Sequence, residues 1–279
     1  MGRPILRAAL LCAAALTLLP ASAGAVVAGT PDTANQFSNV AVLRFLDLDG
    51  ATRWRCSGTL VAPNVIITAA HCTEGAEQVY YSFAVTRPTD EPDAPGAVGW
   101  TLGGDDSVPG PQNIYTHPDW DGDLQNNSLD DIGLIILPAP VAGIRPSPLP
   151  AAGYSLESVP HATPFTVVGY GVTYVKPASS PKKPTADALL QRHYTTSPLS
   201  NLTSDTIILA VNAKDKRAGG GICSGDSGGP AFLDGVIVGV TSWGTSQFCR
   251  SGQSGFQRLD DADARGFYEP LLAVAAGRR

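Results

Sequence analysis

Short apolar runs recur along this chain between turns rich in glycine and proline. They fall at Val40–Leu46, Val65–Thr68, Val79–Thr86, Ile132–Leu137, Phe165–Val168, Ile207–Val211 and Val236–Ser242. Runs of roughly four to eight residues bounded by turn signals predict strands, and many of them in succession predict an all-β barrel or sandwich. A helical period is nearly absent before the C-terminus. There, Asp260 to Ala276 opens on acids and is followed by Arg278-Arg279, the charge order that suits a helix dipole. Pro270 either kinks or shortens that helix, and Leu271, Leu272 and Val274 are its candidates for packing on a barrel. Leu137 to Pro150 holds five prolines and few bulky apolar groups, so it reads as a linker between two halves. Thr86–Asp106 and Lys176–Lys183 read as surface loops, the second open to proteolytic nicking.

The N-terminus adds a targeting segment. Arg3 and Arg7 precede an apolar stretch from Ala8 to Leu19 that Pro20 breaks, and Ala23-Gly24-Ala25 fits a small-x-small cleavage site. Ala21-Ser22-Ala23 is a second such site. The apolar stretch is shorter than a membrane span, and no later segment approaches 18 uninterrupted apolar residues. The organisation expected is a secretory signal over 1–25, one half over 26–140 and another over 141–279, in a secreted, soluble monomer with no membrane role. Composition is ordinary for a globular chain, 43% hydrophobic and 16% charged. The 19 basic residues are outnumbered by 25 acids, and removing the two signal arginines leaves the remainder at −8. No basic stripe is present to neutralise phosphates, which excludes a nucleic-acid partner. Of five cysteines, Cys12 lies in the signal, without a small residue before it for lipid attachment. The other four, Cys56, Cys72, Cys223 and Cys249, allow three pairings. They contain no C-x-x-C, so their spacing does not point to zinc, and no metal is expected.

The candidate chemistry lies in Gly225-Asp226-Ser227-Gly228-Gly229-Pro230. A nucleophilic serine needs close backbone approach and backbone N–H groups beside it, and glycine gives both because it has no Cβ. The N–H groups of Gly225 and Ser227 are then placed to form an oxyanion hole. A serine alone is a weak nucleophile and needs a base with an orienting partner. Thr68-Ala69-Ala70-His71-Cys72 offers the base, and Asp130-Asp131-Ile132-Gly133-Leu134-Ile135 the carboxylate. Of the remaining histidines, His117, His161 and His193, none sits in a catalytic string, and each reads as a surface or turn residue.

These strings resemble the chymotrypsin/trypsin family of serine peptidases, which carries its histidine in T/S-A-A-H-C, its aspartate in D-I-A-L and its serine in G-D-S-G-G-P. Gly133 stands where that family usually has alanine. The order His, Asp, Ser also matches and differs from that of other serine hydrolases. Val26-Val27-Ala28-Gly29 resembles the family's mature N-terminus, and Ser57-Gly58-Thr59-Leu60 the strand leading to the histidine. His117-Pro118 lies in the usual run-up to the aspartate. Gly169-Tyr170-Gly171 resembles its G-W-G, and Ser242-Trp243-Gly244 the strand that binds substrate backbone.

The resemblance implies two six-stranded antiparallel β-barrels with the active site in the cleft between them. It also implies a peptidase that needs no cofactor and acts on polypeptides, with Ser227 as nucleophile, His71 as base and Asp131 orienting the ring. Asp131 is preferred to its neighbour Asp130 because it directly precedes Ile132; Asp130 then reads as a solvated loop acid. The implied disulfides are Cys56–Cys72 and Cys223–Cys249, and closing a loop of about 15 residues is worth roughly 3 kcal/mol. Asp226, buried beside the nucleophile, would pair with the α-amino group of Val26, and cleavage after Ala25 would expose that group directly. Gly221 is expected at the floor of the specificity pocket, with Gly244 and Gly255 on its walls, although Gly219-Gly220-Gly221 leaves room for a one-residue slip. An open pocket without an acid predicts bulky apolar or aromatic residues before the scissile bond. Arg250 and Arg258 read as surface arginines, with an acid-binding role as the alternative. Gln257 replaces the family's aromatic residue at the back of the pocket. A non-catalytic binding protein on the same fold is the second functional reading, and an esterase the third. Asn126-Asn127-Ser128 and Asn201-Leu202-Thr203 are glycosylation sequons, and Asp90–Asp106 shows no calcium-ligand pattern.

Overall fold

Two β-sheets divide the chain, each built from strands whose inward residues are apolar. The computed structural model describes residues 26, 29–46, 52–89, 98–103, 113–124, 130–172, 191–212, 220–246 and 249–277. The signal segment, Lys176–Lys183, the sequon at Asn126 and Arg278-Arg279 lie outside the described residues. After a short strand β1 (Thr30–Pro31) come β2 (Val40–Leu46), β3 (Thr52–Ala62), β4 (Val65–Thr68), a single helical turn α1 (Ala70–Thr73), β5 (Gln78–Ser82), β6 (Thr101–Gly103), β7 (Ile114–Thr116) and β8 (Gly133–Ile136). The strands from β2 to β8 form a seven-stranded sheet in the order β6-β5-β2-β3-β4-β8-β7. Every residue of β2, β4 and β8 is buried, as expected of continuous apolar runs packed on both faces.

The second half holds β9 (Pro164–Gly169), β10 (His193–Leu202), β11 (Thr206–Asn212), β12 (Pro230–Leu233), β13 (Val236–Gly244) and β14 (Ser251–Arg258). These pair in the order β10-β11-β14-β13-β12-β9, and β9 pairs back onto β10, which closes a six-stranded antiparallel barrel with β1 added at its edge. Closure removes sheet edges that would otherwise template aggregation. The expected architecture holds, with one difference of detail: among the described residues the first sheet has seven strands, and no pairing joins its ends β6 and β7. Leu156, Phe165, Leu209, Val238 and Phe256 fill the closed barrel. The other core cluster runs from Leu43, Ile66 and Leu134 of the first sheet across to Val168, Tyr170 and Val240 of the second.

The proline-rich segment after β8 is a strap tied to both sheets. Val141 N–H donates to the Pro63 carbonyl and Ser147 N–H to Leu60, while Ile237 N–H donates to Pro148. The C-terminal helix α2 spans Ala262–Gly277 and includes Pro270 without ending there, because that residue lies on the exposed face. Asp261 Oδ1 accepts the Ala264 N–H at 2.8 Å and caps its start. Ala264, Tyr268 and Ala275 face inward with Leu271 and Leu272 beside them, whereas Val274 points outward. Among the described residues, no helix is long and apolar enough to cross a membrane. The sequon asparagine Asn201 is exposed at the end of β10.

Candidate active site

The first half of the site grows from β4. Ile66 and Ile67 anchor the strand in the core, and the chain leaves it through α1, which presents His71. The Cys56–Cys72 disulfide ties that turn to β3, and Trp54 Nε1 donates to the Cys72 carbonyl at 2.6 Å. Asp131 precedes β8 and is fully buried. Its Oδ1 accepts the His71 backbone N–H at 2.9 Å, and its Oδ2 meets His71 Nδ1 at 2.8 Å. Ser242 Oγ donates to the same Oδ2 at 2.5 Å, and the Asp131 N–H reaches Gln257 Oε1 at 3.4 Å. Strands of the second barrel therefore help fix an acid of the first. The His71 side chain keeps 16% of its surface accessible.

Gly133 explains its own departure from the family pattern. A Cβ there would fall 2.6 Å from both outer atoms of Thr73 and 2.8 Å from the Ala69 carbonyl. Thr73 is itself held by Thr116, hydroxyl to hydroxyl at 2.9 Å. Gly133→Ala is therefore expected to lower stability by about 1–3 kcal/mol, although it restores the family's usual residue; urea unfolding reads this directly.

The serine turn follows β11 and leads into β12. Gly228, at φ 77°, lies so close to the histidine segment that a Cβ would fall 2.0 Å from Thr68 Oγ1 and 3.0 Å from the Ala69 nitrogen. The Ser57 N–H donates to the Ser227 carbonyl at 2.7 Å. The serine turn thus packs on the backbone of the segment that leads to His71. Within the turn, the N–H groups of Asp226, Gly228 and Gly229 bond to Cys223, Thr241 and Asp226 carbonyls. Among the described residues, the N–H groups of Gly225 and Ser227 have no such acceptor.

Asp226 is fully buried. Gly171 N–H donates to it at 2.7 Å and Cys223 N–H at 2.8 Å. The backbone of Val26 bonds to it as well. Gly169 and Gly171 make the space, since a Cβ on either would meet the carboxyl at 2.5 Å or less. Burial pushes Asp226 up to about 7, against the pull of those three N–H groups. Val26 is itself fully buried and stands at φ 55°, a strained angle for a β-branched residue.

Several polar residues sit differently from expectation. Asp130 is no solvated acid: burial first, and the Asp263 carboxyl next, push it up to about 7. His117 opens the expected turn, its carbonyl accepting the Trp120 N–H at 3.2 Å, but its side chain is buried. Its Nδ1 accepts the Asp119 N–H at 3.3 Å, so a neutral ring carries its proton on Nε2, which faces Asp263 at 4.0 Å. That ring offers the acids a proton, not a cation a lone pair, although the three residues could group around an ion. His193 is also buried, which pulls its pKa down, with Nδ1 on the Gln191 carbonyl at 2.7 Å. His161 is exposed as expected. Arg258 is buried, not a surface arginine, and it grips both oxygens of Asp260 at 2.8–2.9 Å, with Glu157 and the Thr203 carbonyl beyond. Arg250 is exposed.

A cleft of about 720 Å³ opens beside Ser227, lined by Leu124, Ile222, Trp243, Gly244 and the Cys223–Cys249 disulfide among others. Among the described residues, no charged side chain lines it. Of the three expected pocket glycines, Gly244 lines it, and a Cβ there would meet the Ile222 side chain at 3.8 Å. Gly221 and Gly255 do not: a Cβ on the first would strike Val211, and on the second the Trp243 indole, at 2.5 and 2.1 Å. The residue at the pocket is Ile222, one position along from the expected glycine. Ser242, Trp243 and Gly244 all border the cleft. Two contributors escape sequence reasoning. Gln257 holds the Asp131 backbone, and Trp120, its Nε1 on Glu74 at 3.2 Å, stands 6.4 Å from the His71 ring. An aromatic residue between two acids, Asp119-Trp120-Asp121, was the available signal for Trp120.

Comparison with known proteins bears on this geometry. The trypsin family model matches residues 26–262. A trypsin from Phaedon cochleariae is 30% identical over 200 residues, covering 68% of this chain and 69% of its own. A chymotrypsin from the same organism is 31% identical over 220 residues, covering 75% and 70%. A trypsin from Saccharopolyspora erythraea is 27% identical, covering 78% and 85%. Among solved structures, HL collagenase superimposes with a TM-score of 0.65 at 22% identity, covering 89% of this chain and 98% of its own. Human heparin binding protein does so with 0.62 at 19%, covering 88% and 96%. At that identity the two structures speak for the fold alone. The family match over most of the chain and the sequence relatives decide the matter: this protein belongs to the chymotrypsin/trypsin-like family of serine peptidases.

Proposed function

We propose that the chain is a secreted serine endopeptidase in which Ser227 attacks a peptide carbonyl, His71 takes its proton and Asp131 orients and stabilises the ring. The observation that carries this reading is the bonding of Asp131. A fully buried carboxylate spends its oxygens on His71 and Ser242, and an acid buried so completely requires such partners. The bond to Nδ1 leaves His71 Nε2 as the basic atom. As the imidazolium forms, the adjacent negative charge stabilises it. His71 then returns the proton to the leaving amine, and water repeats the sequence on the acyl-enzyme. The oxyanion would sit on the N–H groups of Gly225 and Ser227, which have no backbone acceptor among the described residues. No cofactor is required. The halves on either side of residue 140 divide the labour: the first holds the base and its acid, the second the nucleophile.

Specificity follows from Ile222, Trp243 and the disulfide, which give the cleft an apolar side facing the hydroxyls of Ser224, Thr245 and Ser246, with no charged side chain among its described lining residues. Phe, Tyr or Leu before the scissile bond is expected to be preferred over Lys or Arg, by at least tenfold in kcat/KM. Cleavage of a peptide library followed by mass spectrometry tests both activity and preference. Preference for Lys or Arg would overturn the pocket assignment, and no cleavage of any peptide would overturn the function. Human heparin binding protein shares the fold and is named for binding. The binding-only reading is disfavoured because the chain keeps His71, Asp131 and Ser227, each in its own string.

The strained angle at Val26 supports maturation there. A chain that begins at Val26 has no preceding peptide to define φ, so cleavage after Ala25 relieves the strain at φ 55°. It also converts an amide N–H on Asp226 into an ammonium group. The signal segment before Val26 supports export with no separate activation peptide.

A further inference from the structure

A buried polar path leads from the N-terminal segment to the serine turn, and the sequence motifs give no hint of it. Asp32, Arg192 and Tyr170 are each buried to 1% exposure or less. Arg192 Nε donates to Asp32 Oδ2 at 2.8 Å, and its outer nitrogens reach the Tyr170 hydroxyl at 2.9 Å, the Val40 carbonyl at 2.9 Å and Asn35 Oδ1. Asp32 in turn caps the backbone N–H groups of Gln36 and Phe37 at 2.7 and 3.0 Å. The Tyr170 hydroxyl, held by Arg192 from one side, donates to the Ala84 carbonyl at 2.6 Å. Both ends of Tyr170 are therefore fixed, because its backbone N–H donates to Ser57 Oγ at 3.0 Å. Ser57 Oγ passes its own proton to the Gly225 carbonyl at 3.0 Å, while the Ser57 N–H holds the Ser227 carbonyl. The next residue, Gly171, holds Asp226, and Val172 N–H donates to the Ser224 carbonyl at 2.9 Å. Each residue from 224 to 227 is thus gripped either by Ser57 or by the segment that Tyr170 anchors.

We propose that Arg192, Tyr170 and Ser57 are positioning residues for the oxyanion site: the guanidinium fixes the phenol, and the phenol fixes the Gly169–Gly171 segment. That segment and Ser57 then hold the peptide planes of Gly225 to Ser227 at the angle that aims their N–H groups into the cleft. The proposal rests on the serine-peptidase reading above and adds what sets the geometry of its turn. Tyrosine in place of the family's tryptophan is the telling substitution. Only the phenol places a hydroxyl where Arg192 and the Ala84 carbonyl meet, and burial keeps that hydroxyl protonated by pushing its pKa far up. The buried arginine has a full set of acceptors, so the unit is rigid and not a charge seeking solvent.

The test uses the mature protein carrying Tyr170→Phe, Ser57→Ala or both. Each single change is expected to lower kcat about tenfold with KM within about twofold, since a displaced N–H is felt mainly in the transition state. Fluorophosphonate inactivation should slow in parallel, because it uses the same N–H groups. The double variant should lose about tenfold, not a hundredfold, because both changes break one path. Melting temperature and near-ultraviolet circular dichroism verify the fold, and if Tyr170→Phe fails to fold, Ser57→Ala alone decides. Single variants within twofold of the parent, multiplicative loss in the double variant, or a loss confined to KM would each overturn the proposal. A parent that neither hydrolyses peptides nor labels overturns the peptidase reading and this proposal with it.

Discussion

Ser227→Ala is expected to lower kcat by about 10⁴–10⁶-fold while KM stays within a few-fold, the signature of an interaction that exists only in the transition state. The reasoning runs through three bonds. Asp131 fixes the His71 ring through Nδ1, and its own position is fixed by the His71 N–H and by Ser242. The ring has no other use for its basic Nε2 than to take a proton in the cleft. With the hydroxyl gone, only the oxyanion N–H groups and binding remain, which leave a residual acceleration of about 10³-fold over water. Removing His71 or Ser227 should have nearly equal effects, and removing both should add little, because the residues act as one unit. Steady-state kinetics on a peptide substrate suffice, with circular dichroism to verify that each variant folds. A Ser227→Ala protein with more than a hundredth of the parent kcat would contradict the assignment.

The second large effect concerns the N-terminus. A chain beginning at Val26 is expected to be active, and a chain retaining Ala25 to be impaired at least a hundredfold at pH 8. With Val26 as an amide, burial holds Asp226 near 7. A carboxyl raised by about three units in the folded state loses about 4 kcal/mol of stability at higher pH. The sign follows from the direction of the shift. The favourable share is complete below about pH 4 and is lost as pH rises through about 7. Freeing the amine reverses this, because an ammonium on Asp226 stabilises the charged form. The pair then persists until the amine loses its proton above its ordinary range of about 7.7–8.0. The uncleaved chain should therefore lose stability between pH 5 and pH 8, and the cleaved chain should hold it there and lose it at alkaline pH. Asp226→Asn should abolish the difference between the two. Urea unfolding at pH 5, 8 and 10 on both forms reads all of this. Equal stability and activity of the two forms at pH 8 would sink the ion pair.

The legible parts of the sequence were those whose chemistry is local. The runs Val40–Leu46 and Val65–Thr68 coincide with β2 and β4, because an unbroken apolar run can be satisfied only in a core. The strands β10 and β14 were not legible. Ser251–Arg258 reads Ser-Gly-Gln-Ser-Gly-Phe-Gln-Arg, and it is a strand because β11 and β13 pair with it on either side. Strand propensity yields to partners of that kind. His71, Asp131 and Ser227 stood out because each lies in a string that its backbone geometry requires, as the space around Gly228 illustrates. Of the pocket glycines, Gly244 borders the cleft beside Ser227, and a run of three glycines carries no register for the floor. Gly221 gives way to Ile222 at the cleft, and Gly255 is spent on the Trp243 ring. Least legible were the buried charges. Nothing near Asp130 or Arg192 in sequence announces partners that lie far along the chain, and Arg258 is buried with Asp260 only two residues on, so they read as ordinary surface residues or passed unnoticed.

The most direct measurement is the site of covalent labelling. The mature protein is treated with a fluorophosphonate at neutral pH, digested and mapped by mass spectrometry, alongside a His71→Ala variant. One phosphonate per chain on Ser227, with labelling slowed by orders of magnitude in the variant, is the expected result. An unlabelled Ser227 in folded protein, or labelling indifferent to His71, would contradict the account.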